Sequence, residues 1–440
     1  MFNNNENSNP HVVIIGAGFA GLTAVKELAG KPVRVTLIDK NNYHTFVPLV
    51  YQIGAAELEP DEIAYPVRDI LRKIPNARFL MKEVTRIDLD RKAVECDGYP
   101  VYYDYLIIAT GSGTGYFGIP GAEENSFALN TLEDGIDLRN HIISCFETAV
   151  YQTDPQTRRK LLTFAIVGAG PTGVEFSGAL AELIHGPMRK DYPELPTDEI
   201  RVILIEAMDN VVPLLPKQLS DYTKSRLSEM KIDVMLNGMV SEINPGSVLL
   251  NDGRVIDTNT VVWTAGVRGE GPKIIPDLER AKNGRMILNS TLQIPGHPTA
   301  YTAGDLALIE QDGAALPMMA PVAIQQGETA VHNILNQIAG KELVGFRYKD
   351  RGEMLTIGRN KAVARLGKKA FTGFFAWVIW ALVHIYQIIG FRNRIQVLIN
   401  WAWSYIFFEK AVRLIIPSLS KNTKDESSPK KNNFRETTTV

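Results

Sequence analysis

A glycine-rich turn that occurs twice, with matching surroundings each time, constrains this chain more than any other feature. The first copy is His11-Val-Val-Ile-Ile-Gly-Ala-Gly-Phe-Ala-Gly21, an apolar run leading into Gly16, Gly18 and Gly21 and then a helical stretch, Leu22 to Ala29. The second is Phe164-Ala-Ile-Val-Gly-Ala-Gly-Pro-Thr-Gly173, with Gly168, Gly170 and Gly173 followed by Val174 to Leu183. Each leads to a similar closing segment, Tyr105-Leu-Ile-Ile-Ala-Thr-Gly111 in the first and Val261-Val-Trp-Thr-Ala-Gly266 in the second. Gly16 and Gly111 are 95 positions apart, and Gly168 and Gly266 are 98. Matched spacing of unlike pieces implies two related units rather than two chance motifs.

The turn has a chemical use that needs all three glycines. One permits a tight strand-to-helix turn, the next lets the backbone approach a pyrophosphate, and the third lets helix and strand pack closely. The phosphate then sits on unpaired N–H groups at the helix N-terminus. A single match is weak, but the required context is present twice: strand before, helix after, and an acid ending the next strand. Val33-Arg-Val-Thr-Leu-Ile-Asp39 places Asp39 where it can accept from a ribose 2′-OH, and Arg201-Val-Ile-Leu-Ile-Glu206 places Glu206 alike. An acid there repels a 2′-phosphate, which favours NADH over NADPH; simple strand capping is the bland alternative for each acid.

The expected architecture is α/β, two Rossmann-like dinucleotide-binding units built on parallel sheet with helices on both faces. Ala77 to Leu80, Lys92 to Cys96 and Val234 to Leu236 are short alternating runs, expected to form a small antiparallel sheet. Gly186 to Asp198 carries three prolines and reads as an inserted loop in the second unit.

Two such units in one chain point to a flavin in one and a nicotinamide in the other, apposed for hydride transfer. Thr299-Ala-Tyr-Thr-Ala-Gly-Asp305 is an apolar strand ending in Gly-Asp. It resembles the segment of two-dinucleotide flavoproteins whose acid, here Asp305, binds the ribityl and pyrophosphate part of FAD. Taken alone, Gly304-Asp305 is equally a turn dipeptide. With Gly16, Gly18, Gly21, Asp39, Thr110 and Gly111 it makes the expected non-covalent FAD site; Gly168, Gly170, Gly173, Glu206 and Gly266 make the expected NADH site.

From His11 to Pro417 the chain resembles the type II, non-proton-pumping NADH:quinone oxidoreductases. The likeness rests on Asn42-Tyr-His-Thr-Phe-Val-Pro-Leu-Val-Tyr-Gln52, Gly173-Val-Glu-Phe-Ser-Gly-Ala-Leu-Ala-Glu-Leu183, Trp263-Thr-Ala-Gly-Val267, Ala320-Pro-Val-Ala-Ile-Gln-Gln-Gly327 and Met354-Leu-Thr-Ile-Gly-Arg359. It implies that Tyr43, His44, Phe46 and Pro48 run along the flavin, that Glu175 lies near the nicotinamide–flavin interface as a proton-handling or positioning group, and that Gln325 hydrogen bonds the quinone carbonyl or flavin edge. Core packing for the first four, and an acid favoured by the helix dipole for Glu175, are the alternatives. Many members carry Gln where this chain has Pro321. The helix tolerates proline in its first turn, but the choice between menaquinone and ubiquinone is left open.

Phe371 to Gly390 is an apolar run long enough, at about 1.5 Å per residue, to cross a bilayer. At helical spacing it has two faces, Trp377, Trp380, His384 and Gln387 on one and Phe374, Val378, Leu382, Ile385 and Ile389 on the other. Lys368 and Lys369 flank one end, Arg392 and Arg394 the other. A second run, Ile395 to Phe408, holds Trp401, Trp403, Tyr405, Phe407 and Phe408. Aromatics with basic flanks on both sides favour two amphipathic helices lying on a membrane surface over a spanning hairpin. A dimer interface is the further alternative.

The chain has 440 residues, with 47 Lys+Arg against 49 Asp+Glu, which argues against nucleic acid as a partner. Cys96 and Cys145 are its two cysteines, too few for a disulfide framework, a thiolate zinc site or an iron–sulfur cluster, and no metal is expected. A reducing compartment fits. The expected partition is a disordered start at 1–10, an FAD domain at 11–160 with 267–345, an NADH domain at 161–266, a membrane-anchoring region at 346–417 and a disordered tail at 418–440. The expected activity is hydride transfer from NADH to FAD and two electrons onward to a membrane quinone, peripheral to a cell inner membrane on its cytoplasmic face, with a homodimer possible. The rivals are a related flavin reductase with another acceptor, such as sulfide:quinone oxidoreductase, and a membrane-tethered NADH sensor with little turnover. The first needs flavin-adjacent cysteines, and Asp39 to Gln52 contains none.

Overall fold

The computed structural model describes residues 9–407 and 412–416. The expected tail, residues 1–8 of the expected disordered start, and Phe408 lie outside the described residues. The first sheet has six strands in the order Gln293–Ile294, His297–Thr302, Tyr105–Ile108, His11–Ile15, Arg34–Asp39 and Ala77–Met81. Neighbours run parallel except at the short Gln293–Ile294 edge. His11–Ile15 is buried throughout, which is why its apolar run shows no alternation. The helix Phe19–Glu27 (α1) starts directly from the glycine turn.

Between the two units lie the short helix Val50–Gly54 (α2) and the long helix Leu132–Tyr151 (α3). A reciprocal capping box opens α3, the Thr131 side chain accepting from the Asp134 amide at 3.1 Å and the Asp134 carboxylate from the Thr131 amide at 2.8 Å. The chain passes between the sheets through two strands, Ser112–Thr114 and Val267–Gly269, which pair antiparallel. Residues 115–160 follow the first crossing and pack on both sides: Phe127 bridges to Val262, while α3 packs on α2.

The second sheet runs Ile232–Met235, Arg201–Ile205, Thr163–Val167, Thr260–Trp263, all parallel, with the helix Pro171–Leu183 (α4) following its glycine turn. Each sheet therefore sets the fingerprint strand between the acid's strand and the closing strand, with one further strand beyond the acid. Ile15 lies opposite Ile38 and Ile108, and Val167 opposite Ile205 and Trp263. This register brings turn, acid and closing segment to the same carboxyl edge in both copies, where open α/β sheets bind ligands.

Three expectations are corrected. Ala77–Met81 and Ile232–Met235 are not antiparallel; each is the outer parallel strand beside the acid's strand. Of the three short runs only Ala93–Cys96 joins an antiparallel meander, with Val84–Asp88 and Tyr99–Tyr102. Four or five residues of alternation fix a strand but not its neighbour, which the preceding crossover decides. The proline-bearing insertion does not begin as a loop: α4 runs on through a π turn at Ile184–Met188 into Arg189–Asp191, the wider turn accommodating Pro187. The run from Phe371 is helical only from Gly373, because Phe371 belongs to the strand Lys369–Thr372.

The C-terminal part begins with the helix Ala320–Ile338 (α5), packed on α1 so closely that a Cβ on Gly327 would lie 2.6 Å from the Ala20 carbonyl oxygen. A three-stranded antiparallel sheet follows, Glu353–Thr356, Ala362–Leu366 and Lys369–Thr372, and then the helices Gly373–Gln387 (α6) and Phe391–Phe407 (α7). Ala376 and Trp380 of α6 are buried, whereas Phe374, Phe375, Leu382 and Tyr386 are exposed, as are Ile395, Leu398, Ile399, Trp403 and Ile406 of α7. Among the described residues no helix is long and apolar enough to cross a membrane.

Candidate active site

The two glycine turns are superimposable in their hydrogen bonding. Gly16 donates to the Ile38 carbonyl at 2.8 Å and Gly168 to that of Ile205 at 2.8 Å. The Ala17 amide donates to Asp39 Oδ2 at 2.6 Å, and the Ala169 amide to Glu206 Oε2 at 2.7 Å. Each acid thus fastens its own glycine turn, as strand capping would have it, at the position where a ribose hydroxyl would also meet it. The second oxygens accept from the Asn41 amide at 2.7 Å and the Met208 amide at 2.9 Å. Burial pushes the Asp39 carboxyl up, against the hydrogen bonds from Ala17 and Asn41.

The three glycines of each turn separate by what surrounds them. A Cβ on Gly16, whose φ is +102°, would lie 2.2 Å from the Ala109 carbonyl oxygen, and one on Gly21 would lie 1.9 Å from that of Gly16. In the second copy a Cβ on Gly168 would meet Ala265 at 2.5 Å, and one on Gly173 the Gly168 carbonyl oxygen at 1.9 Å. Gly18 and Gly170 face open space, with no atom within 4 Å. Four of the six glycines are thus demanded by the protein's own backbone, and the middle ones leave room at a helix N-terminus for a diphosphate. Gly266 belongs to the first kind: a Cβ there would lie 2.3 Å from the Gly115 carbonyl oxygen.

Around the first cradle, Asp305 accepts from Ser112 Oγ at 2.7 Å, and burial raises its carboxyl against the pull of Ser112 and Arg285. Thr110 donates to the Glu270 carbonyl at 2.6 Å, and Gly111 takes a φ of +80°. His44 binds the Ala17 carbonyl through Nδ1 at 2.8 Å; burial lowers it to about 4, so the ring is neutral. That contact ties the 42–52 segment to the glycine turn. Gln326 was missed by sequence reasoning. Fully buried, it accepts from the Gly304 amide at 2.8 Å, and its Nε2 has no partner among the described residues. An orphaned donor beside the Gly304-Asp305 turn, with the open face at Gly18, fits a bound dinucleotide.

Gln325 is buried on α5 and bound to the backbone of Lys349. Its Nε2 donates to the Lys349 carbonyl at 3.0 Å and its Oε1 accepts from the Lys349 amide at 2.9 Å. Both ends of the carboxamide hold the chain ahead of the strand Glu353–Thr356, and one N–H and one lone pair of the group remain for a further partner.

Glu175 is the fifth residue of α4, beyond its first turn, so the dipole explanation does not account for it; the matching residue of α1 is Thr23. It is buried, its Oε1 accepts from the Thr356 amide at 3.1 Å, and burial raises it to about 8, opposed by Thr356 and the Trp380 indole. A cavity of about 70 Å³ adjoins it, lined among others by Tyr51, Gln52, Thr356, Trp380 and Trp401. Trp380 stacks on His384 at 4.2 Å, and His384 meets Phe46 edge-on at 6.0 Å. The inward stripe of α6 therefore reaches the segment that runs past the first glycine turn. The cysteines stand elsewhere: Cys96 in the antiparallel meander and Cys145 on α3, near His141 and Thr260.

Known proteins resemble this chain in sequence and in fold. The pyridine nucleotide-disulphide oxidoreductase family matches residues 10–327. The type II NADH:quinone oxidoreductase Ndh of Mycobacterium tuberculosis is 36% identical over 412 residues, covering 90% of this chain and 88% of its own. An internal alternative NAD(P)H-ubiquinone oxidoreductase of Arabidopsis thaliana mitochondria is 28% identical, covering 91% and 85%. Among solved structures, NDH2 from Plasmodium falciparum in complex with NADH superposes with a TM-score of 0.84 at 21% identity, covering 93% of this chain and 100% of that one. The chain belongs to the pyridine nucleotide-disulphide oxidoreductases and, within them, to the type II NADH:quinone oxidoreductases.

Proposed function

We propose that this protein oxidises NADH and reduces a membrane quinone, with FAD held non-covalently in the first unit, NADH in the second, and no ion translocation. The observation that carries the reading is the pairing of two open-faced glycine cradles with one buried acid between the second cradle's helix and the C-terminal helices. When bound, FAD supplies the two-electron chemistry that links NADH to the quinone.

The chain's own part is binding, orientation and proton handling. The N-terminus of α4 and the open face at Gly170 receive the NADH diphosphate, and Glu206 sets the preference against a 2′-phosphate. The antiparallel crossing strands hold the two units against each other. Glu175, protonated near neutral pH, is the candidate to give a proton to a reduced quinone oxygen and regain it from water. Gln325 acts at one remove, by fixing the segment that leads to Thr356. The exposed apolar faces of α6 and α7 support a seat on a membrane surface, from which a quinone enters; the reading places it on the cytoplasmic side of a cell inner membrane.

Anaerobic double mixing tests this. NADH should bleach the flavin absorbance and a short-chain quinone should restore it; bleaching without recovery would rule out the quinone as acceptor.

A further inference from the structure

α7 is held to the first unit by polar side chains on one face. Asn393 donates to the carbonyls of Asp61 at 2.8 Å, Glu62 at 3.0 Å and Ala64 at 3.2 Å, and Asn400 donates to the Glu62 carboxylate. Trp401 Nε1 donates to Gln52 Oε1 at 2.9 Å. These three residues, seven and eight positions apart from the first, lie opposite the exposed Ile395, Leu398, Ile399 and Ile406. The same helix thus presents an apolar outer face and keys itself inward to the segment 52–64.

The contact at Trp401 fixes which way Gln52 faces. An indole N–H can only donate, so Gln52 must turn its oxygen toward Trp401 and its amide group away. Gln52 Nε2 then donates to the Tyr51 hydroxyl at 3.0 Å. The Tyr51 hydroxyl shares a further hydrogen bond with Thr356 Oγ1, 3.2 Å away. The Thr356 amide donates in its turn to Glu175. The side-chain bonds therefore end at the Thr356 hydroxyl, and the backbone amide of the same residue holds Glu175, so these contacts set where one of the acid's donors stands. None of these links is local except Gln52 to Tyr51.

We propose that Trp401 is a positioning residue for the quinone-reducing step: by fixing the Gln52 carboxamide, and through it Tyr51 against Thr356, it sets how the Thr356 amide meets Glu175, so that proton exchange at Glu175 depends on how α7 is seated. The proposal rests on the reading that a quinone is the electron acceptor. The groups around Glu175 come from every element that meets the cavity: Tyr51 and Gln52 from α2, Glu57 just after it, Glu182 from α4, Thr356 and Arg359 from the C-terminal sheet, Trp377 and Trp380 from α6, and Trp401 from α7. Donors aimed at a carboxylate favour its charged form. Removing the contact at Trp401 or Gln52 loosens Thr356 and its amide, and therefore makes Glu175 hold its proton to higher pH.

The test uses the flavin-loaded full chain and two variants, Trp401→Phe and Gln52→Met, each unable to make the bond between residues 401 and 52. Infrared difference titration follows the carboxylic acid band that Glu175→Gln abolishes, and stopped flow follows flavin reduction by NADH and reoxidation by a short-chain quinone across pH. Both variants should move the Glu175 midpoint and the reoxidation profile upward by about half a pH unit, a threefold change in the proton equilibrium. Reduction by NADH should keep its rate. An unmoved midpoint, or reoxidation slowed equally at every pH, overturns the proposal and leaves Trp401 a packing residue. Should Trp401→Phe fail to retain flavin, Gln52→Met decides alone. A wild-type enzyme that no quinone reoxidises would overturn the functional reading instead, while the infrared midpoints would still decide whether Trp401 acts on Glu175.

Discussion

The second glycine turn offers a sharp separation of fold from ligand binding, through Gly170→Ala and Gly173→Ala. Gly170 has φ of −71° and ψ of −176°, backbone any residue adopts, and its Cβ would meet nothing within 4 Å. Alanine there should change stability by less than about 0.5 kcal/mol. Gly173 lies inside α4, where alanine gains about 1 kcal/mol of helix propensity. Its Cβ, however, would stand 1.9 Å from the Gly168 carbonyl oxygen and 2.8 Å from Thr264 Oγ1. Overpacking of that kind costs about 3 kcal/mol, so a net loss of about 2 kcal/mol remains. The ligand effect runs the other way: the Gly170 methyl occupies the space the NADH diphosphate approaches and should weaken NADH binding at least about tenfold, or about 1.4 kcal/mol. Urea unfolding of the flavin-loaded protein and titration with NADH under anaerobic conditions read the two quantities. Wild-type NADH affinity in Gly170→Ala, or equal destabilisation by both substitutions, would refute the assignment of the open face to the diphosphate.

Further outcomes follow from the same structure. Glu175 is raised to about 8 in the folded chain against 4.5 for the free group, so its contribution to stability is present in full below pH 4.5 and is lost as pH rises toward and through 8. Relative to Glu175→Gln, the wild type should lose up to about 1.4 kcal/mol per pH unit across that window, measured by urea unfolding at pH 5.5 and 8.5; parallel curves would contradict it. Gln326→Leu leaves the buried Gly304 amide without its acceptor and should reduce flavin retention after gel filtration, with about 1–3 kcal/mol of stability lost. Replacing Leu398 and Ile399 together by Glu should lower binding to lipid vesicles at least about tenfold in flotation, since each exposed side chain contributes about 1.5 kcal/mol or more when buried in lipid; unchanged flotation would move the contact surface elsewhere.

Local pattern carried the nucleotide cradles a long way. Turn, helix start, acid and closing strand each depend on residues within a few positions of one another, and the structure sets Asp39 and Glu206 in equivalent contacts because the two copies have equivalent local sequence. The pairing of Ala77–Met81 was not legible, since alternation says nothing about which strand lies alongside. Nor was the difference between Gln325 and Gln326, adjacent residues that one turn of α5 directs to Lys349 and to Gly304. Burial of Glu175 was equally hidden: its surroundings come from α2, the C-terminal sheet and both terminal helices.

By itself, then, the sequence determined the duplication, the α/β class and the positions that can accept a dinucleotide, because glycine conformation, strand-to-helix turns and helix N-termini are short-range properties of the backbone. The tertiary structure alone decided that Glu175 is buried and which groups surround it. A carboxyl group's proton affinity is set by the water removed from it and the donors brought to it; here the donor is the Thr356 amide, and the residues that line the cavity come from as far apart as Gln52 and Trp401.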